Sequence, residues 1–224
     1  RCLALAQQGR GHTGINPMVG AVLVRDGKII AEGFHEGFGK AHAERSLLEN
    51  IEQIICSTDT LYVNLEPCCH TEKKTPPCAQ FLVEKGIRNV VYGMLDPNPN
   101  VGGKGIALLK KAGVATTGLV LEDECLRLNK GFVSLQTKGR PWITLKIART
   151  VDGQIANSDG SMMKITSDEQ NRWSHELLRA RHDAILVGVN TIVKDDPQLT
   201  IRYHLPTLTR GPSPKGEMGD YECS

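Results

Sequence analysis

Three short segments of this sequence carry side chains that can bind one zinc ion. They are His42-Ala43-Glu44, Pro67-Cys68 and Pro76-Pro77-Cys78. One imidazole and two thiolates are donors that suit zinc better than magnesium or calcium. Because three protein ligands leave the fourth tetrahedral position open, this set predicts a catalytic site rather than a closed structural one.

The position of Glu44, two residues after His42, suits it to acid–base work beside the metal. Zinc lowers the pKa of bound water from about 15.7 to about 7 and so supplies a nucleophile at neutral pH. One carboxylate can accept the proton of this water and pass protons to a ring nitrogen and a leaving amine. Three zinc ligands and one glutamate therefore indicate hydrolytic deamination of an amidine-like ring carbon.

A proline precedes each of the two predicted thiolate ligands, Cys68 and Cys78. Proline is favoured at the first position of a helix, so both cysteines are expected near a helix N-terminus, where the dipole favours thiolate. The stretch between His42 and Cys68 is long enough for one helix and one strand, which can bring the segments together. Cys69 follows Cys68 directly and is an alternative ligand.

Hydrophobic patterning predicts that an α/β domain positions these residues. The turn pair Asp26-Gly27 joins the apolar runs 18–24 and 29–33 into a hairpin. Helices and strands alternate around it: helices are predicted at 1–8, 42–54, 79–85, 106–112 and 122–132, and strands at 60–65, 90–95 and 114–121. This order favours a three-layer α/β/α fold with a mixed sheet.

A second unit is predicted after Lys138-Gly139-Arg140-Pro141, which divides the chain into residues 1–139 and 140–224. Its predicted elements are strands at 142–147 and 184–189 and a polar helix at 168–181. From about residue 203 prolines and glycines interrupt a polar tail, so irregular structure is expected there. The remaining residues suffice only for the first part of a domain.

The composition of the 224-residue chain argues against several classes of protein. Its 27 basic and 25 acidic residues give a net charge of +2, which offers no electrostatic basis for binding nucleic acid. No apolar run approaches the ~20 residues that span a bilayer, so no membrane partner is expected. Seven cysteines, an odd number, favour a reducing, cytoplasmic location over a disulfide framework. The start at Arg1 also allows for an organelle-targeting leader that has been removed.

The sequence resembles the bifunctional deaminase/reductase family of riboflavin biosynthesis, within the cytidine-deaminase superfamily, from residue 1 to about residue 202. The zinc motif is shared by the whole superfamily, whereas Lys74-Thr75-Pro76-Pro77-Cys78 and Asp96-Pro97-Asn98-Pro99 are far more specific to this family. The other segments that carry the resemblance are Asn16-Pro17-Met18-Val19-Gly20-Ala21-Val22, Leu65-Glu66-Pro67-Cys68, Leu128-Asn129-Lys130-Gly131-Phe132, Val151-Asp152-Gly153 and Asp195-Asp196-Pro197.

For the first unit, the resemblance implies removal of the 2-amino group of 2,5-diamino-6-ribosylamino-4(3H)-pyrimidinone 5′-phosphate, a small-molecule pyrimidine ribosyl phosphate. It assigns catalysis to Glu44 and zinc to His42, Cys68 and Cys78. It assigns substrate binding to a set of mostly polar residues, which are Asn16, His35, His70, Lys74, Thr75, Asp96 and Asn98. Lys74 offers a charge and Thr75 a hydroxyl for a phosphate oxygen. A homo-oligomer is also expected.

For the second unit, the resemblance implies the start of a dihydrofolate-reductase-like domain that uses NADPH to reduce the ribosyl ring to a ribityl chain. It assigns substrate or cofactor contacts to Lys146, Thr166 and Asp195. Lys164 stands where the family usually has Trp, and no glycine-rich cofactor loop follows Arg202. We therefore expect that this chain alone does not act as a reductase.

Two other functions are compatible with a zinc motif of this kind. Another nucleoside or nucleic-acid deaminase of the superfamily would predict a closely spaced Pro-Cys-X-X-Cys pair and a basic surface, and the sequence has neither. In a catalytically inert domain, zinc would only stabilise the fold, and Glu44 or one of the zinc ligands would be expected to be missing. All of them are present. The loop from Cys68 to Lys74 is one residue longer than in many relatives, which keeps Cys69 open as the ligand.

Overall fold

The computed structural model describes residues 1–51, 54–69, 77–99, 101–161 and 163–202. The chain forms two compact units that divide between Trp142 and Ile143. The functional assignment of residues 1–139 and 140–224 stays a prediction. The irregular tail predicted from about residue 203 lies outside the described residues.

The first unit is built on a five-stranded mixed sheet. Its strands are β1 (Gly20–Arg25), β2 (Lys28–Phe34), β3 (Thr60–Leu65), β4 (Asn89–Met94) and β5 (Ala115–Thr117), in the spatial order β2-β1-β3-β4-β5. Strand β1 is antiparallel to both β2 and β3, whereas β3, β4 and β5 are parallel. The predicted hairpin is confirmed, because Arg25 pairs with Lys28 across the Asp26-Gly27 turn.

Helices cover both faces of this sheet. They are α1 (Cys2–Ala6), continued by a 3₁₀ turn, α2 (Ala43–Leu48), α3 (Cys78–Glu84), α4 (Lys104–Lys111), α5 (Glu122–Leu128) and α6 (Lys130–Lys138). Helix α1 lies against Gly20 and α2 against Gly33. Gly33 pairs with Ala21, whose side chain points away from the face of Gly20, so α1 and α2 lie on opposite faces. Helix α3 packs against α2 and α4 packs against α3, so both lie on the face of α2. Helix α5 packs against α1 and lies on the other face. The predicted three-layer α/β/α fold is confirmed.

The hydrophobic core of the first unit lies between the sheet and these helices. Leu23, Leu61 and Val90 of the strands are almost fully buried, as are Leu47 of α2 and Leu82 of α3. Burial of each such side chain contributes roughly 1.5–3 kcal/mol to the free energy of unfolding. A membrane-crossing helix is not found in the described ranges.

Three predicted elements of the first unit have bounds that differ from those their hydrophobic pattern indicated. The helix predicted at 42–54 ends at Leu48, where the Asn50 side chain donates to the Ser46 carbonyl that a continuing helix would use. The strand predicted at 114–121 ends at Thr117, because Leu119 and Leu121 have positive φ angles of 60° and 56°. The helix predicted at 122–132 is divided into α5 and α6 at Asn129.

The second unit contains helices but no strand among its described residues. Helix α7 (Asp168–Trp173) continues through short π- and 3₁₀-helical turns to Arg181, where a helix was predicted, and α8 (Val189–Asp195) follows. The strands predicted at 142–147 and 184–189 are wrong. Ile143, Leu145 and Leu186 are 71%, 80% and 99% exposed. A strand persists only where a neighbour accepts its backbone hydrogen bonds, and these segments have none in the described structure.

Two buried asparagines hold the backbone that leads into β1. The Asn129 side chain accepts from the Met18 N–H at 2.8 Å and donates to the Met18 carbonyl at 3.0 Å. Asn64 of β3 donates to the same carbonyl at 3.0 Å and accepts from the Gly20 N–H at 2.7 Å. Residues 18–20 are therefore fixed between β3 and the junction of α5 with α6.

The first prediction concerns the hydrogen bonds between Asn129 and Met18. Replacing Asn129 by Asp removes the amide donor and sets a carboxylate against the Met18 carbonyl in a buried position. We expect the free energy of unfolding to fall by about 1–3 kcal/mol, measured by urea denaturation. Asn50→Asp is the matched control, because it makes the same change on an exposed amide, where we expect less than about 0.5 kcal/mol. An equal fall in the free energy of unfolding of the two variants would contradict the stabilising role of the Asn129 hydrogen bonds.

Candidate metal centre and active site

Three donor atoms from separate segments converge at one end of the sheet. His42 is the N-terminal cap of α2, Cys78 is the first residue of α3, and Cys68 lies in the loop that follows β3. The backbone N–H of Cys78 donates to the Cys68 sulfur at 3.4 Å, and the N–H of Ala79 donates to the Cys68 carbonyl at 3.0 Å. The start of α3 thus fixes the loop that carries Cys68.

The spacing of these donors fits tetrahedral zinc. With Zn–S near 2.3 Å and Zn–N near 2.0–2.1 Å, a nitrogen–sulfur edge of the tetrahedron is about 3.6 Å long. The His42 Nδ1 lies 3.5 Å from the Cys68 sulfur and 3.3 Å from the Cys78 sulfur. Over the described ranges, no other group of three His, Cys, Asp or Glu donors is close enough to share an ion.

The two thiols have coupled protonation. Hydrogen bonds, chiefly with the Cys78 thiol and also with His42, lower the pKa of Cys68 to about 4, although burial opposes the change. The hydrogen bond with Cys68, together with burial, raises the pKa of Cys78 well above its ordinary value. Two adjacent thiolates repel each other, and a divalent cation between them offsets that repulsion. The donor set therefore suits a cation chemically as well as geometrically.

Glu44 lies in the first turn of α2, and its side chain is buried next to the two thiols. Burial raises the pKa of its carboxyl to about 7, and the charge on Cys68 adds to this rise, while His42 opposes it. A nearby zinc ion would also favour the carboxylate. A carboxyl group with a pKa close to neutrality can both accept and return protons.

A cavity of about 260 Å³ adjoins two of the three donors, His42 and Cys68. The predicted site residues His42, Glu44 and Cys68 contribute to its wall, together with the predicted substrate residues Asn16, His35, Asp96 and Asn98. Cys78 is buried behind them. The other predicted substrate residues, His70, Lys74 and Thr75, lie outside the described residues. The roles of all these residues stay predictions.

His35 is a buried member of this wall whose hydrogen bonds define its tautomer. Its Nδ1 lies 2.9 Å from the Ala41 carbonyl, which only accepts, so Nδ1 carries the proton. Its Nε2 can then accept from the Asn16 amide nitrogen, at 3.2 Å. The ring is 5.7 Å from the His42 ring and nearly perpendicular to it. Asn16 and His35 are therefore held in a fixed arrangement beside the metal ligands.

Seven residues of the cavity wall were not predicted as site residues, and three of them have large polar or aromatic side chains. Glu66 belongs to the Leu65-Glu66-Pro67-Cys68 motif, and Phe132 belongs to the motif around Asn129. Gln136 follows Phe132 by one turn of α6, so both face the cavity. The family motifs could have identified Glu66 and Phe132 as site residues. Only the packing of α6 identifies Gln136. Cys69, the alternative ligand, is not part of the donor cluster.

The residues predicted for the reductase site lie in the second unit. Lys146 and Asp195 are exposed, and the Thr166 hydroxyl donates to the Asn171 side chain. A cavity in this unit is lined by Arg179, His182, Asp183, Ala184, Ile185, Leu199 and Ile201 and includes none of the three. The structure does not bring them together in that cavity, and their roles stay predictions.

Comparison with protein-family models finds two matches in this chain. Residues 1–94 match the cytidine and deoxycytidylate deaminase zinc-binding region. Residues 141–214 match the RibD C-terminal domain. The first match contains His42, Glu44, Cys68 and Cys78.

The chain is also similar to whole proteins and to solved structures. It is 46% identical over 205 residues to riboflavin biosynthesis protein RibD of Aquifex aeolicus and 42% identical over 203 residues to that of Escherichia coli. These matches cover 92% and 91% of this chain but only 56% and 54% of the relatives. The structure of a diaminohydroxyphosphoribosylaminopyrimidine deaminase/5-amino-6-(5-phosphoribosylamino)uracil reductase from Thermotoga maritima matches with a TM-score of 0.84 at 43% identity, over 94% of this chain and 58% of that one. The chain thus spans little more than half the length of these relatives.

The second prediction concerns the ligand set. We expect the purified chain to bind about one zinc ion per molecule, and expect Cys68→Ser and Cys78→Ser to lose it, because a serine hydroxyl is a far weaker ligand than a thiolate. Cys69→Ser is the matched control, and its zinc content should equal that of the wild type. Elemental analysis after dialysis measures all three variants. Zinc retained by Cys68→Ser and lost by Cys69→Ser would transfer the ligand role to Cys69.

Proposed function

We propose that this chain, which belongs to the bifunctional deaminase/reductase family of riboflavin biosynthesis, deaminates 2,5-diamino-6-ribosylamino-4(3H)-pyrimidinone 5′-phosphate in a zinc-dependent hydrolysis. One observation carries the proposal. One cavity is lined by two members of a zinc-compatible donor triad, by the buried Glu44 and by four of the predicted substrate residues. The family supports the identity of the substrate, and the geometry of the cavity supports the hydrolytic chemistry.

The three donors would hold zinc in a fixed position at the base of the cavity. When bound, zinc supplies a polarised water that is nucleophilic at neutral pH. His42, Cys68 and Cys78 would supply three ligands, which leaves one position for the water, and Glu44 lines the cavity beside His42 and Cys68. The hydrogen bond from the Cys78 N–H to the Cys68 sulfur holds the two cysteines side by side at the start of α3.

Glu44 would move the protons of the reaction. Its carboxylate would accept one proton from the attacking water and pass it to the ring nitrogen; it would then accept the second proton from the hydroxyl left on the ring carbon and pass it to the departing amine. The net reaction replaces the 2-amino group with an oxygen atom from water and releases ammonia. A position in the first turn of α2, two residues after the capping ligand His42, would keep the carboxylate beside the reacting atoms.

The remaining cavity wall would orient the pyrimidine ring. Asn16, His35, Asp96 and Asn98 present amide, imidazole and carboxylate groups that can meet the polar edges of the base and its ribose. Val19, Leu65 and Phe132 supply apolar surface that excludes water from the ring faces. His70, Lys74 and Thr75 are proposed from the sequence alone, with Lys74 and Thr75 at the phosphate.

The expected state of the protein in the cell is a separate proposal. Two bacterial relatives, both riboflavin biosynthesis protein RibD, support a small-molecule pyrimidine substrate. A homo-oligomer and a cytoplasmic location rest on the resemblance and on the cysteine content, respectively. Light scattering on the native protein measures the oligomeric state. A monomer at micromolar concentration would contradict the proposed homo-oligomer.

The third prediction tests Glu44. Glu44→Gln keeps the shape of the side chain but cannot accept a proton, so we expect ammonia release to fall by at least about 10²–10⁴-fold with zinc content unchanged. Glu49→Gln is the matched control, because Glu49 is the exposed carboxylate at the other end of α2. That variant should retain the wild-type rate. Ammonia release by Glu44→Gln at the wild-type rate would refute the proposed role, and none by the wild type would favour an inert, zinc-stapled domain.

The fourth prediction separates the two activities of the family. We expect this chain to release ammonia from the pyrimidine phosphate without oxidising NADPH. Lys146 and Asp195 are exposed, and the described residues of the second unit form no sheet against which a nicotinamide could lie. Ammonia and nicotinamide absorbance are followed in the same reaction. Steady NADPH consumption after deamination would show that the second unit is competent.

A further inference from the structure

The carboxylate of Glu66 connects the metal-binding loop to the opposite wall of the cavity. Its side chain is buried and accepts four backbone hydrogen bonds. The Oε2 atom accepts from Asp96 at 3.0 Å and from Gly103 at 2.8 Å. The Oε1 atom accepts from Gly105 at 2.8 Å and from Ile106 at 3.2 Å, at the start of α4.

These bonds close the loop that carries two of the proposed substrate residues. Asp96 and Gly103 stand at its two ends, so a single oxygen atom of Glu66 holds both ends together. Inside the loop, the Asp96 side chain accepts from the N–H of Asn98 at 2.9 Å, and the Asn98 carbonyl accepts from the N–H groups of residues 101 and 102. The loop is thus folded on itself and attached to the rest of the domain through Glu66.

The same residue is attached to the metal site along the chain. Glu66 is two residues before Cys68, and its own N–H donates to the Met94 carbonyl of β4 at 2.9 Å. The first turn of α4 lies directly against this segment, since a Cβ at Gly105 would come 2.0 Å from the Pro67 carbonyl oxygen. Only glycine permits so close an approach at that position. The distance between Cys68 and the Asp96–Asn98 wall is therefore set through Glu66.

We infer that Glu66 is a positioning residue for the proposed deamination, on which this inference rests. It holds Asp96 and Asn98 at the distance from the metal ligands that the substrate ring requires. Among the described residues Glu66 forms no ion pair, so its four acceptor bonds come from backbone groups with fixed directions. Such donors specify the geometry of the loop more strictly than a flexible lysine or arginine side chain would.

The test is Glu66→Gln in the full chain. The amide keeps the size of the side chain, but its NH2 group must face backbone N–H donors, which releases part of the loop. We expect the zinc content to stay at the wild-type value, KM to rise by about 10–100-fold and kcat to change by less than about 3-fold. Asp59→Asn is the matched control, because Asp59 is a buried carboxylate that accepts from the Cys56 N–H and from Arg25 away from the cavity. It should reduce stability and leave KM unchanged.

A double-mutant cycle with Asn98→Ala distinguishes positioning from general destabilisation. If Glu66 acts through the loop, its effect on KM should largely disappear once Asn98 has lost its side chain. Additive effects of the two substitutions, or loss of zinc from Glu66→Gln, would overturn the inference. Should Glu66→Gln fail to fold, Glu66→Asp takes its place in the cycle, and failure of both would show a purely structural role.

The proposed function is tested separately within the same experiment. Absence of ammonia release by the wild-type chain would refute the function. The positioning role is then measured by calorimetry, as the dissociation constant of the zinc-loaded protein for the pyrimidine ribosyl phosphate, over the same four variants of the cycle. Equal dissociation constants for Glu66→Gln and the wild type would overturn the inference.

Discussion

The closeness of two thiols and an imidazole is the constraint on which the first unit depends. Atoms that must lose protons to bind a cation lie 3.3–3.5 Å apart in a largely buried position. Without a cation only one thiol gives up its proton, because Cys68 raises the pKa of Cys78, whereas a bound cation would compensate two buried thiolates. The start of α3 and the loop after β3 hold this arrangement, and Glu44 shares the same low-dielectric surroundings, which raise its pKa. Metal binding and acid–base chemistry therefore have one structural origin.

Buried polar side chains, rather than regular elements, define the rest of the cavity. Asn64 and Asn129 satisfy the backbone of Met18 and Gly20, and Glu66 satisfies four N–H groups around α4. Each of these groups would be costly to bury unpaired, so the segments they bind have few alternative positions. Asp96 and Asn98 of the wall lie on a loop, and the hydrogen bonds to Glu66 hold that loop in place. This explains how irregular segments can form a defined site.

The second unit illustrates how strongly strands depend on partners. Its apolar segments have the patterns of an alternating strand at 142–147 and a buried strand at 184–189, yet Ile143, Leu145 and Leu186 are exposed and pair with no described strand. Helix α7 needs no such partner, because its bonds are local and a capping box between Ser167 and Gln170 begins it. Within the described part of this unit, local helical structure thus forms and sheet structure does not.

The sequence alone indicated the zinc donor set and most elements of the first unit. His42, Glu44, Cys68 and Cys78 were recognisable because metal ligands are restricted to few residue types, and the hairpin because Asp26-Gly27 is a strong local turn signal. Tertiary structure decided where elements end, as at Asn129, and which wall residues meet the cavity, as for Gln136. It also decided the role of Glu66, whose four partners lie 30 to 40 residues away along the chain. Hydrogen bonds over such separations depend on how β4 and α4 pack, and no local pattern encodes that packing.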